Sequence, residues 1–327
     1  MATVGSGDFV YEPAVDWFHL PPDVPLTEAV GVAVDSADNL YVFNRADPPI
    51  IVFDPAGNYL RHWGAGHFVR PHGIWIDEDD TLYLTDDVGH SMRQFTPEGE
   101  LICTFGPVNQ PSPTNVVGFD YRKITHGDAP YNLPTNTVKA PNGDVYVADG
   151  YGNARIHRFA PTGEYKTSWG EPGSGPGQFN LPHGLGFDRA GRLYVGDREN
   201  SRIQIFSLEG EFIEEWTDVV RPCQVFVAQD GFVYVGELGR KAGMFDWLER
   251  DSNAPGARVS IFDQAGQLQA RWGGGTHPES LEDLYTGHDV CVDSQGNVYV
   301  GEVSLSAAKA AGVNPETIPT LRKFVRV

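Results

Sequence analysis

The chain has 327 residues, 40% of them apolar, with 13 Tyr, 18 Phe and 7 Trp beside 38 Gly and 24 Pro; it can bury a large core, and so much Gly and Pro argues against a helical protein. A formal charge of −20 at pH 7 repels phosphate backbones and anionic lipid headgroups, so neither nucleic acid nor a membrane is an expected partner. The opening MATVGSGDFVYEP has no basic stretch followed by an apolar run, no segment approaches 18 consecutive apolar residues, and Cys103, Cys223 and Cys291 lack disulfide spacing, which together predict a soluble cytoplasmic protein.

In chain order, the segment YEPAVDWFHL reads as a lone strand, and one pattern then repeats six times. The fourth repeat shows it most cleanly: HGLGFD, a DRAG turn, LYVGD, a RENS loop, RIQIF, an SLEG turn and EFIEEW, four short β-branched or aromatic runs separated by turn residues. The turn between third and fourth strands recurs at Gly57, Gly99, Gly163, Gly210 and Gly266, a repeat of roughly 40 to 45 residues with insertions. Fourth strands close on Trp63, Phe105, Trp169, Trp216 and Trp272, rings large enough to pack between neighbouring sheets. The sixth repeat has HDVCVD, NVYVGE and LRKFVRV but no fourth strand. The early segment, about Tyr11 to Leu20, can supply it and so remove an open sheet edge. The expected fold is therefore all-β, a six-bladed β-propeller over residues 1–327 closed by an N-terminal outer strand. Three insertions interrupt it: Pro107 to Leu133, Leu238 to Ala257 and Val303 to Pro319, the last with a short helical stretch, SAAKAAGVNPE. Loops of this length suit lids.

Two positions keep phase with the repeat. In PHGIWID, PHGLGFD and GHDVCVD a histidine stands five residues before the closing aspartate: His72, His183 and His288. The same slot in the alternate repeats holds Val30, Thr135 and Cys223. In a six-fold ring this alternation sets three imidazoles about 120° apart on innermost strands, a donor set suited to Zn²⁺ with one coordination position left open. The other seven histidines, among them His62, His67 and His90, lack this phase. The second position ends each second strand: Asn44, Asp86, Asp149, Asp197, Glu237 and Glu302, whose ordinary role is to satisfy backbone N–H groups. Just beyond it stand Arg45, Arg198 and, one place later, Tyr151, two cations and a phenol suited to an anionic substrate.

The stretches FNRAD, RPHGIWID, DGYGNARI, LPHGLGFDRAGRLYVGDRENSRIQIF and GHDV resemble the catalytic core of the peptidyl-α-hydroxyglycine α-amidating lyase family, NHL-repeat six-bladed propellers, across all six repeats. The most specific match is DRENSRIQIF following LPHG. The resemblance implies zinc on His72, His183 and His288. It also implies a base-like Tyr151, an Arg45 that holds the substrate carboxylate, and Arg198 beside the tyrosine. It further implies a structural calcium on the backbone carbonyls of Val32 and Ile74 and on Asp289. The implied reaction cleaves a small anionic N-acyl-α-hydroxyglycine into an amide and glyoxylate. One departure is local: Gly152 stands where secreted animal members carry a disulfide cysteine beside the tyrosine. Two other readings compete, a metal-dependent lactone or ester hydrolase and a noncatalytic NHL interaction module. The three-histidine set favours zinc over the carboxylate sites of the hydrolases, and a scaffold needs no such phase.

Overall fold

The computed structural model describes residues 2–240, 253–275, 277, 279–311 and 314–327. They form two compact units, Met1–Trp63 with Val220–Val327, and Gly64–Val219. The second unit holds three four-stranded antiparallel sheets in simple sequential order. Their strands are Pro71–Ile76, Leu82–Asp86, Ser91–Phe95 and Leu101–Phe105; Pro134–Lys139, Val145–Asp149, Arg155–Phe159 and Tyr165–Trp169; and Pro182–Phe187, Leu193–Asp197, Arg202–Phe206 and Phe212–Trp216. The first unit holds three more. Two are four-stranded, beginning at Ala29–Val34 and Pro222–Val227, and the third has five strands. Six such sheets make the chain a six-bladed β-propeller, all-β apart from one short helix and two 3₁₀ turns among the described residues. No described helix is long and apolar enough to cross a membrane.

Burial grades across each sheet and explains the sequence pattern. All six second strands are buried along their whole length, so runs such as YVA and YVG are apolar without alternation. Several fourth strands, Leu101–Phe105 and Tyr165–Trp169 among them, are largely exposed. The closing aromatics fill the space between sheets. Trp169 packs against Tyr146 of its own sheet (centroids 6.1 Å apart) and Phe206 of the next (5.9 Å). A side chain at Gly210 would meet the Trp169 ring at 2.7 Å, and Gly210 also has φ +84°, so glycine serves both the turn and the close approach.

The aspartate that ends the first strand organises the following hairpin. Asp188 accepts N–H groups from Ala190 (3.0 Å) and Arg192 (2.9 Å) through one oxygen and the Tyr194 hydroxyl (3.2 Å) through the other. Asp77 with Tyr83 and Asp293 with Tyr299 repeat this. Burial, reinforced by the adjacent aspartate, pushes all three tyrosines well above their ordinary pKa, so each keeps its proton and donates it.

The last sheet borrows its outer strand from the N-terminus, as expected, but from Phe9–Pro13 rather than Tyr11 to Leu20. Tyr11 pairs with Arg326, Glu12 with Val325 and Pro13 with Phe324, and Val4–Ser6 adds a fifth strand. Ala14 still donates to the Lys323 carbonyl (2.9 Å), and beyond it Asp16 takes a positive φ of 45°. Trp17 and Phe18 instead lie as plugs on Tyr299 (5.6 Å) and Phe53 (5.5 Å). Aromatic content made this loop resemble a strand. Of the insertions, 303–319 contains the expected helix, Ser304–Ala311, and 107–133 contains a 3₁₀ turn at Tyr121–Lys123. Most of Leu238 to Ala257 lies outside the described residues.

Candidate functional site

The histidine slot is a β-bulge in every repeat. Pairing of the first and second strands shifts register between Pro71 and Ile74, between Pro182 and Leu185, and between Gly287 and Asp289, which brackets His72, His183 and His288. The same shift brackets Val30, Thr135 and Cys223. A bulge releases one residue from the ladder and re-aims its side chain. All three histidines are buried.

The acidic position that ends the second strand secures the approach to this bulge. Asn44, Asp86, Asp149, Asp197, Glu237 and Glu302 each accept the backbone N–H of the residue 17 earlier: Thr27, Val69, Asn132, Asn180, Val220 and Tyr285. That residue always lies three before the slot. The structural role expected from sequence therefore holds, and it reaches the histidines through three residues of backbone. Burial pushes the Asp197 carboxyl up to about 6 despite hydrogen bonds from Asn200, Asn180 and Arg202.

Backbone carbonyls of the intervening slots orient the rings. His72 Nδ1 lies 2.6 Å from Thr135 O, and His288 Nδ1 lies 2.7 Å from Val30 O. A carbonyl only accepts, so Nδ1 carries the proton and Nε2 keeps the lone pair that a metal requires. Because the acceptor is backbone, Val30 and Thr135 leave no side-chain signature for this role. The three buried histidines, each offering a ring nitrogen, could hold a metal ion. Outside the set, His90 accepts the Leu133 N–H (3.1 Å) and the buried His157 pairs with Asp149 (3.1 Å).

In the unit Gly64–Val219, Tyr151 joins two of these histidines. Its hydroxyl lies 3.3 Å from His72 Nε2, 3.3 Å from His183 Nε2 and 3.2 Å from Arg198 Nη1. The Arg198 guanidinium also sits 5.2 Å from the Tyr151 ring centroid, and its Nε bonds Glu199 (2.9 Å). Tyr151 and Arg198 are both buried. Four groups expected from sequence thus meet at one oxygen. A phenol beside a buried guanidinium and two imidazoles can give and take a proton.

Arg45 and His288 belong to the other unit. Arg45 is held by buried Glu28 (3.1 Å), and Glu28 also accepts the N–H and hydroxyl (2.9 Å) of Ser306 at the start of helix Ser304–Ala311. Glu28 was not legible in the repeat phase, and it ties Arg45 to the 303–319 insertion. Asp289 is buried; it accepts N–H groups from Val32 and Val290 (2.9 Å each), and burial still pushes its carboxyl up to about 7 despite these bonds and the Gln224 side chain. A cation beside this carboxylate would offset the unfavourable desolvation. Ile74 lies in Pro71–Ile76 of the second unit. Among described residues all three cysteines are free thiols.

Fold and site together define an NHL-type β-propeller with a buried histidine–tyrosine–arginine cluster. The NHL repeat family matches residues 179–206, the segment that carries His183 and Arg198. The chain resembles the peptidyl-α-hydroxyglycine α-amidating lyases. It is 27% identical over 325 residues to peptidyl-alpha-hydroxyglycine alpha-amidating lyase 1 of Drosophila melanogaster, covering 86% of this chain and 56% of that one. It is 35% identical over 248 residues to the peptidylglycine alpha-amidating monooxygenase of Rattus norvegicus, covering 64% of this chain and 24% of the relative. The chain thus spans about a quarter of the length of that monooxygenase. Among solved structures, virginiamycin B lyase from Staphylococcus aureus superimposes with a TM-score of 0.56 at 13% identity, over 84% of this chain and 78% of that one. A gluconolactonase from Xanthomonas campestris gives 0.59 at 13% identity, over 92% and 86%. At such identity these two structures speak to the fold alone. Both sequence relatives are named as amidating enzymes.

Proposed function

We propose that the chain is a metal-dependent carbon–nitrogen lyase that cleaves a small anionic N-acyl-α-hydroxyglycine, R–CO–NH–CH(OH)–COO⁻, into the amide R–CO–NH₂ and glyoxylate. The observation that carries the reading is the placement of the Tyr151 hydroxyl within 3.3 Å of two histidine Nε2 atoms and of Arg198. Zinc, held by His72, His183 and His288, would supply the Lewis acidity that makes a substrate hydroxyl easier to deprotonate. Tyr151 takes that proton as a phenolate, and the Arg198 cation stabilises the phenolate. The carbon–nitrogen bond then breaks, its electron pair leaves with the amide nitrogen, and the oxygen left on carbon becomes the aldehyde of glyoxylate. Tyr151 returns its proton to the nitrogen, so no water is consumed. Arg45, oriented by Glu28, grips the carboxylate and fixes the reacting carbon. A structural calcium at Asp289 and Val32 belongs to the same proposal.

The test is product analysis on metal-loaded protein with N-acetyl-α-hydroxyglycine in ¹⁸O water. Glyoxylate with an unlabelled intact amide is the expected result; the label must be read in the amide because the glyoxylate aldehyde exchanges oxygen with water. A labelled free carboxylic acid from the acyl side would establish a hydrolase and overturn the lyase.

A further inference from the structure

The insertion 107–133 places an apolar ring on the proposed base. Phe119 meets Tyr151 edge to face, with centroids 5.6 Å apart and an interplanar angle of 84°. Its own face is covered by the Arg70 guanidinium, 4.8 Å from the centroid, and Arg70 is in turn paired with buried Asp87. The segment is firmly attached. Thr114 donates to the Gly152 carbonyl, next to Tyr151, and Asn132 Nδ2 donates to Thr114 Oγ1 (3.1 Å) and to the Ser112 carbonyl (2.8 Å). A side chain at Gly152 would meet Asn132 Oδ1 at 2.3 Å, so glycine there lets the insertion press against the loop that carries Tyr151. Phe119 is only half-buried, and Val117, two residues away, is 73% exposed. Phe119 thus leaves part of an apolar ring exposed beside the polar cluster at Tyr151.

The geometry points to Phe119 as the wall that selects an apolar acyl group on the substrate. This deepens the lyase reading and rests on it: with the reacting carbon beside the Tyr151 hydroxyl, the carboxylate goes to an arginine and the acyl group is the part left to lie along the neighbouring ring. Arg70, the cation next to Phe119, is committed to Asp87, so the wall favours a phenyl or branched alkyl group over an acidic one. An edge-to-face contact plus the buried area is worth about tenfold in affinity.

The experiment is calorimetric titration of the metal-loaded protein with N-benzoylglycine and N-acetylglycine, which lack the reacting hydroxyl and report binding without turnover. The parent should bind the benzoyl compound about tenfold more tightly, and Phe119→Ala should bring the two affinities within about twofold of each other. Phe119→Leu, which keeps apolar packing in the insertion, should retain about a threefold preference and serves as the decisive variant if Phe119→Ala does not fold. Equal affinities in the parent, or a full preference in the folded variant, overturn the assignment. A preference that Phe119→Ala abolishes, in a protein that does not cleave N-benzoyl-α-hydroxyglycine, removes the lyase reading and leaves the acyl wall standing.

Discussion

Tyr151 is the residue on which the chemistry turns, because its oxygen touches two candidate ligands and the cation. Replacing it with Phe deletes that oxygen and little volume. Turnover of an N-acyl-α-hydroxyglycine should fall about 10²- to 10⁴-fold, the usual contribution of a positioned acid–base group, while metal content by elemental analysis stays at the parent's level. Loss of one acceptor of buried Arg198 should lower unfolding free energy by about 1 kcal/mol, measurable in urea. Activity within a few-fold of the parent would remove Tyr151 from the proton path. At this scale the sequence showed a good deal: His72, His183, Tyr151 and Arg198 were legible from repeat phase and resemblance, and they meet. Glu28, Phe119 and the Thr135 carbonyl were not. The first two act through contacts distant in sequence, and the third is backbone that any residue type provides.

The repeated element is a bulged first strand bolted by the acid at the end of the second. Its bolt is a 17-residue offset, which explains why Asn, Asp and Glu alternate there without losing phase: each needs only an acceptor oxygen. The sequence displayed the acidic column and the histidine column separately; their mechanical link is a hydrogen bond to main chain, invisible in side-chain patterns. Asp197 gives this link a measurable pH dependence. Its carboxyl holds a proton more tightly in the folded protein, about 6 against the ordinary 3.8, so the stability it contributes is full below about pH 4 and declines as pH rises through about 6. Asp197→Asn cannot titrate. The stability of the parent relative to Asp197→Asn, from urea unfolding, should therefore fall by about 2 kcal/mol between pH 4 and pH 7. A difference that stays flat or rises over that window contradicts the assigned cost of burying this charge.

For the whole molecule, the number of sheets follows from the strand grammar, because five repeats carry their own turn glycine and closing aromatic and the sixth keeps its first three strands. The N-terminal strand was placed a few residues late for a physical reason: Trp17 and Phe18 are as apolar as strand residues, yet they pack half-buried from a loop. The metal is the property that should register in global stability. A ligand that binds only the folded chain adds about 2.7 kcal/mol at a concentration one hundred times its Kd, which for a protein of this size is a rise of about 4 °C in Tm. Zinc added to chelator-treated protein should produce that rise in a thermal scan, and chelation should reverse it. His183→Ala should abolish the response because only three protein ligands are proposed, whereas Tyr151→Phe should keep it, since the phenol is a base and not a ligand. Calcium added alone should act through Asp289, so its effect should vanish in Asp289→Asn and persist in His183→Ala. If His183→Ala answers zinc as fully as the parent does, the ion sits elsewhere and the three-histidine site is wrong, whatever the activity assays show.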